Sequence, residues 1–145
     1  VSAIDVLVAR LPREEGSRML PYDDATGKPV IAPAGNLSWG YGFNLMQCGS
    51  VGLFLAMERY LLTDLDTQLQ QYPWYQQAGD VRASVFLDIA YNAGLAGLVK
   101  GFPKMIAAAT AGDWIEASAQ CAVENPSLNA SRYAPLRQLL LTGEA

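Results

Sequence analysis

The sequence predicts an α+β, mostly helical fold: a small lobe with a short β-sheet and a helical lobe, joined by a long helix. Three observations lead there. Residues 17–45 are punctuated by Pro21, Gly27-Lys28-Pro29 and Pro33-Ala34-Gly35-Asn36, and short strands fit between these turn signals. From residue 50 onward, apolar residues recur at helical spacing between helix start and stop signals. A chain of 145 residues, 51% apolar and 17% charged, is large enough for one packed core. The expected organisation is a single domain over 1–145, with a mixed lobe over about 14–55 and a linking helix over about 50–70. The helical lobe takes about 71–145 together with the N-terminal helix.

The first helix starts at the box Ser2-Ala3-Ile4-Asp5, and Ile4, Leu7, Val8 and Leu11 mark one face. Pro12 should kink or restart it, since proline has no N–H for the preceding turn, and Gly16 is a natural stop. Glu15 therefore stands at or beside a helix C-terminus. The clearest strand is "LSWGYGFNL", residues 37–45, which alternates strictly. Leu37, Trp39, Tyr41, Phe43 and Leu45 face a core; Ser38, Gly40, Gly42 and Asn44 leave room against the backbone. Ser50 caps a long helix to about Gln70, with Leu53, Met57, Tyr60, Leu61 and Leu65 along one side. Asp80 caps a helix ending at Gly94, Pro103 opens one ending at Gly112, and Asp113-Trp114-Ile115-Glu116 caps one ending before Pro126. A last helix runs from about Ser131 to Thr142, with Gly143 after it. A substrate is expected in the cleft between lobes.

Composition narrows the chemistry. The net charge of −4 and the scattered basic residues speak against a nucleic-acid surface, which needs clustered Lys and Arg. With no histidine and two distant cysteines, Cys48 and Cys121, the sequence offers no His-based metal site, serine–histidine triad or Cys–His pair. The cysteines read as buried small hydrophobes, with one bridge between them as the alternative. No apolar run is long enough to insert in a membrane and no signal-peptide pattern is found. The first residue is Val rather than Met, as in a processed product or a domain of a longer chain.

Hydrolytic chemistry would thus fall to carboxylates, and "REEGSRMLPYDDATG", residues 13–27, supplies two acidic pairs around one turn. Acidic turn residues are commonplace. A carboxylate at a helix C-terminus is less so, because the helix dipole there favours the neutral form. A neutral glutamic acid and an ionised aspartate in a wet turn are the two parts glycoside hydrolysis requires.

"EGSRMLPYDDATG" followed by "LSWGYGFNL" resembles the phage-type lysozymes, the T-even-phage endolysins of glycoside hydrolase family 24. Their pattern is Glu-Gly, then Tyr-x-Asp-x-x-Gly, then a Thr-x-Gly-x-Gly-(His) strand. On this chain the catalytic acid falls on Glu15, the aspartate on Asp24, and the water-holding threonine on Ser38. The resemblance continues through "VRASVFLDIAYNAG", "GFPKMIAAATAGDWIEAS" and "NASRYAPLRQLLLTG", where Arg132 matches an arginine facing the catalytic glutamate. It implies a lysozyme-like two-lobed fold and a muramidase that needs no cofactor. Ser38 keeps the hydroxyl of the usual threonine, whereas Phe43 replaces a common histidine. The stretch 27–38 is longer than in the T-even enzyme, and the chain is acidic where many relatives are basic.

Other residues carry two readings each. Arg132 is either a surface charge or, by the resemblance, the partner of Glu15 that opposes the dipole effect. Asn92 is a helix-end polar group or a contact to an acetamido sugar. Phe102 is core or a substrate contact, and Trp74 packs or stacks on sugar. Tyr22 packs beside the loop and fixes Asp24. The expected partner is bacterial peptidoglycan, met by a monomer held in the host cytoplasm until release to the wall, or carried in the virion. The alternatives are a weakly active wall-binding virion module and a lytic transglycosylase.

Overall fold

The computed structural model describes residues 2–14, 38–39, 43–44, 51–121 and 130–145. Helix α1 (Ala3–Glu14) begins as its sequence predicts. The Ser2 Oγ accepts from the Asp5 N–H at 3.2 Å, and the Ser2 N–H donates back to Asp5 Oδ2 at 3.2 Å. Two orphan backbone donors are satisfied at once, typically worth about 1 kcal/mol. The helix runs on to Glu14, past Pro12, where a kink or restart was expected. Ala3, Val6, Leu7 and Leu11 are buried.

Strands β1 (Ser38–Trp39) and β2 (Phe43–Asn44) pair antiparallel, Ser38 opposite Asn44 and Trp39 opposite Phe43. Ser38–Trp39 and Phe43–Asn44 therefore do not continue one strand, as was expected of residues 37–45, but pair with each other. The expected α+β class, with a β-sheet lobe in a lysozyme-like two-lobed fold, is overturned as well. Among the described residues the structure is helical apart from this four-residue pairing. Strict alternation suits one arm of a hairpin as well as a sheet strand, and two residues per strand supply no face broad enough for a lobe.

Helix α2 (Val51–Leu69) has the expected boundaries but not the expected inner face. Leu62 and Leu69 are fully buried with Leu65 packed beside them, whereas Tyr60 is 76% and Leu61 46% exposed. An exposed ion pair, Arg59 Nη2 to Asp5 Oδ1 at 2.9 Å, ties α2 to α1. A single turn, α3 (Pro73–Gln76), opens on a proline and buries Trp74 and Tyr75. The Trp74 ring lies 4.9 Å from that of Phe86, so it packs in the core. Tyr75 donates its hydroxyl to Asp66 Oδ1 at 2.5 Å.

Helix α4 (Gly79–Gly101) is the axis of the described assembly. It buries every residue from Ala83 to Ala90 and packs against α1, α2, α3, α5 and α7. A helix covered on all sides must be apolar nearly all round, as "SVFLDIA", residues 84–90, is except at Ser84 and Asp88. Gly94, with φ 75° and ψ 159°, interrupts it where the sequence predicts an end, a conformation only glycine adopts readily. The chain then bends by 77° into α5 (Pro103–Thr110). Asp113 caps α6 (Trp114–Gln120) by accepting from the Glu116 N–H at 3.0 Å. Helix α7 (Ala130–Thr142) contains Pro135 and is followed by Gly143 at φ 69°. Reciprocal bonds lock α6 to α7: Ser118 Oγ to the Arg137 carbonyl at 2.9 Å, and Arg137 Nε to the Ser118 carbonyl at 3.1 Å.

Candidate functional site

Glu15, Tyr22 and Asp24 lie outside the described residues, as does Cys48. The structure does describe elements that adjoin them in the chain. Glu15 directly follows Glu14, the last residue of α1. Ser38 opens β1, its backbone held in register opposite Asn44.

Arg132 belongs to the first turn of α7 and directly precedes Tyr133, which is buried. The Tyr133 ring stacks on Phe102, centroids 6.1 Å apart and planes at 25°. Phe102 occupies the α4–α5 elbow, its N–H bonded to the Leu98 carbonyl and its own carbonyl accepting from the Ile106 N–H. Only 1% of Phe102 is exposed. A ring so enclosed has no face for a sugar; it anchors the start of α7 and with it the backbone of Arg132.

Asn92, on α4, spends its amide on its own helix. The Nδ2 group donates to the Asp88 carbonyl at 2.9 Å and to Asp88 Oδ1 at 3.0 Å. Asp88 is fully buried, and its Oδ2 accepts from Arg10 Nη2 of α1 at 3.0 Å. This Arg10–Asp88–Asn92 chain joins α1 to α4 and went unnoticed in the sequence. A signal was there: Asp88 is the one charged residue between Arg82 and Lys100, in an otherwise apolar helix. Burying a carboxylate costs several kcal/mol unless a charged partner and further hydrogen bonds satisfy it, and here both are present.

Burial also shifts two other described groups. Cys121 is a buried free thiol whose pKa burial pushes up to about 12; Arg137 opposes the shift and Asp88 adds to it. Such a thiol is not a nucleophile at neutral pH. Burial raises Glu58 above its ordinary value on the inward side of α2. Among the described residues no cluster of three or more His, Cys, Asp or Glu is placed to hold a metal ion. No single described helix is long and apolar enough to cross a membrane.

No family model, no curated protein and no solved structure matches the chain.

Proposed function

We propose that the protein is a muramidase, hydrolysing the β-1,4 bond between N-acetylmuramic acid and N-acetylglucosamine in bacterial peptidoglycan. What carries this reading is the order Glu15-Gly16, Tyr22-x-Asp24, Ser38-x-Gly40-x-Gly42, a carboxylic acid, a carboxylate and a hydroxyl in the sequence of phage-type lysozymes. Glu15 gives its proton to the glycosidic oxygen as the bond to the anomeric carbon breaks. Asp24 and Ser38 hold a water on the opposite face, and Asp24 accepts its proton as the water attacks. The sugar is released with inverted configuration, which requires carboxyl groups roughly 6.5–9.5 Å apart.

Two features of the fold suit this scheme. Ser38 lies in a paired strand, its backbone in register opposite Asn44. The Phe102–Tyr133 stack fixes the turn of α7 that carries Arg132, the proposed partner of Glu15. The protein would act as a monomer without a cofactor.

General acid catalysis supplies roughly 10²- to 10⁴-fold, so Glu15→Gln is expected to lower reducing-end release from purified peptidoglycan by that factor. Its circular dichroism should match the parent's. Lysis by the variant at near the parent rate contradicts the assignment. Sedimentation of the parent with peptidoglycan, with no reducing ends released, would indicate a binding module instead. Anhydro sugar ends would indicate a lytic transglycosylase.

A further inference from the structure

We propose that the corner where α2 turns into α3 is a second glycan-binding site, taking β-1,4-linked N-acetylhexosamine chains. Tyr72 is its stacking platform, and Asp66, Gln71 and Gln76 are its hydrogen-bonding groups. The site lies wholly within described residues and shares none with the cleavage motif. It goes beyond the muramidase reading and stands or falls separately from it.

The sequence concentrates one chemistry at this corner. Five of the eight glutamines fall in "QLQQYPWYQQ", residues 68–77, interleaved with three aromatic residues. No lysine or arginine occurs from Tyr60 to Val81. Such a surface has nothing to hold a phosphate-rich polymer, which requires cations. Uncharged amides beside aromatic rings instead match a ligand made of hydroxyls, acetamido groups and apolar C–H faces.

Folding orders these groups in advance. Phe86, Trp74 and Tyr72 form a layered stack running outward from the core. The Trp74–Phe86 centroids are 4.9 Å apart and the Tyr72–Trp74 centroids 5.1 Å, the second pair with planes at 25°. Phe86 is fully enclosed and Trp74 nearly so, whereas Tyr72 is only partly buried. Tyr72 is thus the ring of the three that reaches solvent, and the ring behind it is packed. Tyrosine suits the role, because it offers a large amphipathic surface with little rotamer freedom to lose.

The polar side chains around it are each tied down at one end. Gln71 and Gln76 are exposed, and their Nε2 groups donate to the carbonyls of Gln68 at 2.7 Å and Gln70 at 2.6 Å. Each leaves its Oε1 without a partner among the described residues, an acceptor for an acetamido N–H or a hydroxyl. The half-buried Asp66 is held likewise. Its Oδ1 accepts from the buried Tyr75 hydroxyl at 2.5 Å and from Gln70 Nε2 at 3.5 Å, leaving Oδ2 for a sugar hydroxyl. Groups already ordered lose little entropy on binding.

The test titrates the intact protein with N-acetylglucosamine tetramer and, separately, with cellotetraose, following backbone amide shifts by NMR. Saturable shifts are expected, largest at residues 66–77, with affinity for cellotetraose, which lacks acetamido groups, weaker by about 5-fold or more. Tyr72→Ala should weaken tetramer binding roughly 10-fold, as for a truncated aromatic anchor. Gln71→Ala/Gln76→Ala, which changes only exposed side chains, should weaken it about 3- to 10-fold and decides the matter if Tyr72→Ala fails to fold. Unmoved residues 66–77, equal binding of the two tetramers, parent-like affinity in the folded variants, or shifts that track self-association of the protein overturn the site. A parent that binds the tetramer at this corner yet releases no ends from peptidoglycan overturns the muramidase reading and supports the glycan site.

Discussion

Phe102 separates a core residue from a substrate contact, and two substitutions read the difference. The ring is enclosed at the α4–α5 elbow and stacked on Tyr133. Truncation in Phe102→Ala removes the whole ring from a packed site, which costs about 3–5 kcal/mol. For a chain of this size each kcal/mol lowers the melting temperature by roughly 2–4 °C, so the midpoint should fall by roughly 6–20 °C. Phe102→Leu keeps most of the volume but loses the stack, worth about 0.5–1.5 kcal/mol, plus a small cavity term. Urea denaturation gives both differences directly. Kinetics of the leucine variant on peptidoglycan then give KM, expected to stay within about 2-fold of the parent because the interaction lost is not with substrate. An alanine variant within about 1 kcal/mol of the parent, or a leucine variant with stability intact and KM raised tenfold, would refute the enclosed placement of the ring.

Three further outcomes follow from the described contacts. Arg59 and then Ser2 hold the Asp5 carboxyl from an ordinary 3.8 down to about 2. A depressed acid stabilises the fold above its unfolded pKa and loses that contribution as pH falls through the folded value, so the parent should lose melting temperature more steeply than Asp5→Asn between pH 3.8 and about 2. Gly143→Ala forces a side chain into φ +69° and puts its Cβ 3.0 Å from Arg82 Cζ, whose Nε bonds the Leu140 carbonyl and whose guanidinium lies over Trp114. It should cost about 1–3 kcal/mol in urea denaturation, and a change under about 0.5 kcal/mol contradicts that contact. Cys121 should resist iodoacetamide in the folded protein at pH 8 and alkylate only on unfolding, as read by mass spectrometry; rapid labelling of the native form contradicts its burial.

Local signals were legible where one residue type decides the geometry. The Ser2–Asp5 box, the Asp113 cap, Pro103 and Gly143 mark helix ends within a residue or two. Gly94, where the sequence predicts the helix to end, is instead an interruption within α4, which resumes to Gly101. The inner face of α2 was not legible, because "FLAMERYLL" is apolar on more than one side. Only packing against α1 and α4 selects Leu62 over Leu61. The pairing of Ser38–Trp39 with Phe43–Asn44 was not legible, because strict alternation along residues 37–45 reads equally well as one strand.

The proposed site divides in the same way. Its chemistry is an expectation from a motif in residues 15–38, which lies almost wholly outside the described residues, while the described contacts near Arg132 and Asn92 join residues distant in sequence. Arg10 and Asp88 are 78 residues apart, a pairing no local pattern announces. Phe102 and Tyr133 meet only because α4 bends sharply into α5 and brings the elbow against α7. Asn92 shows how placement changes a reading: helix-end polarity fits a sugar contact or a brace, and its two bonds to Asp88 favour the brace.

The most direct measurement is digestion of purified peptidoglycan by the intact protein, with the new ends identified by mass and by anomeric configuration before mutarotation. Hydrolysis with inversion predicts reducing N-acetylmuramic acid ends first formed as the α-anomer, with one water added for each bond cut. Ends lacking that water, β-anomers, or no new ends at all would contradict the assignment of Glu15 as acid with Asp24 and Ser38 on the attacking water.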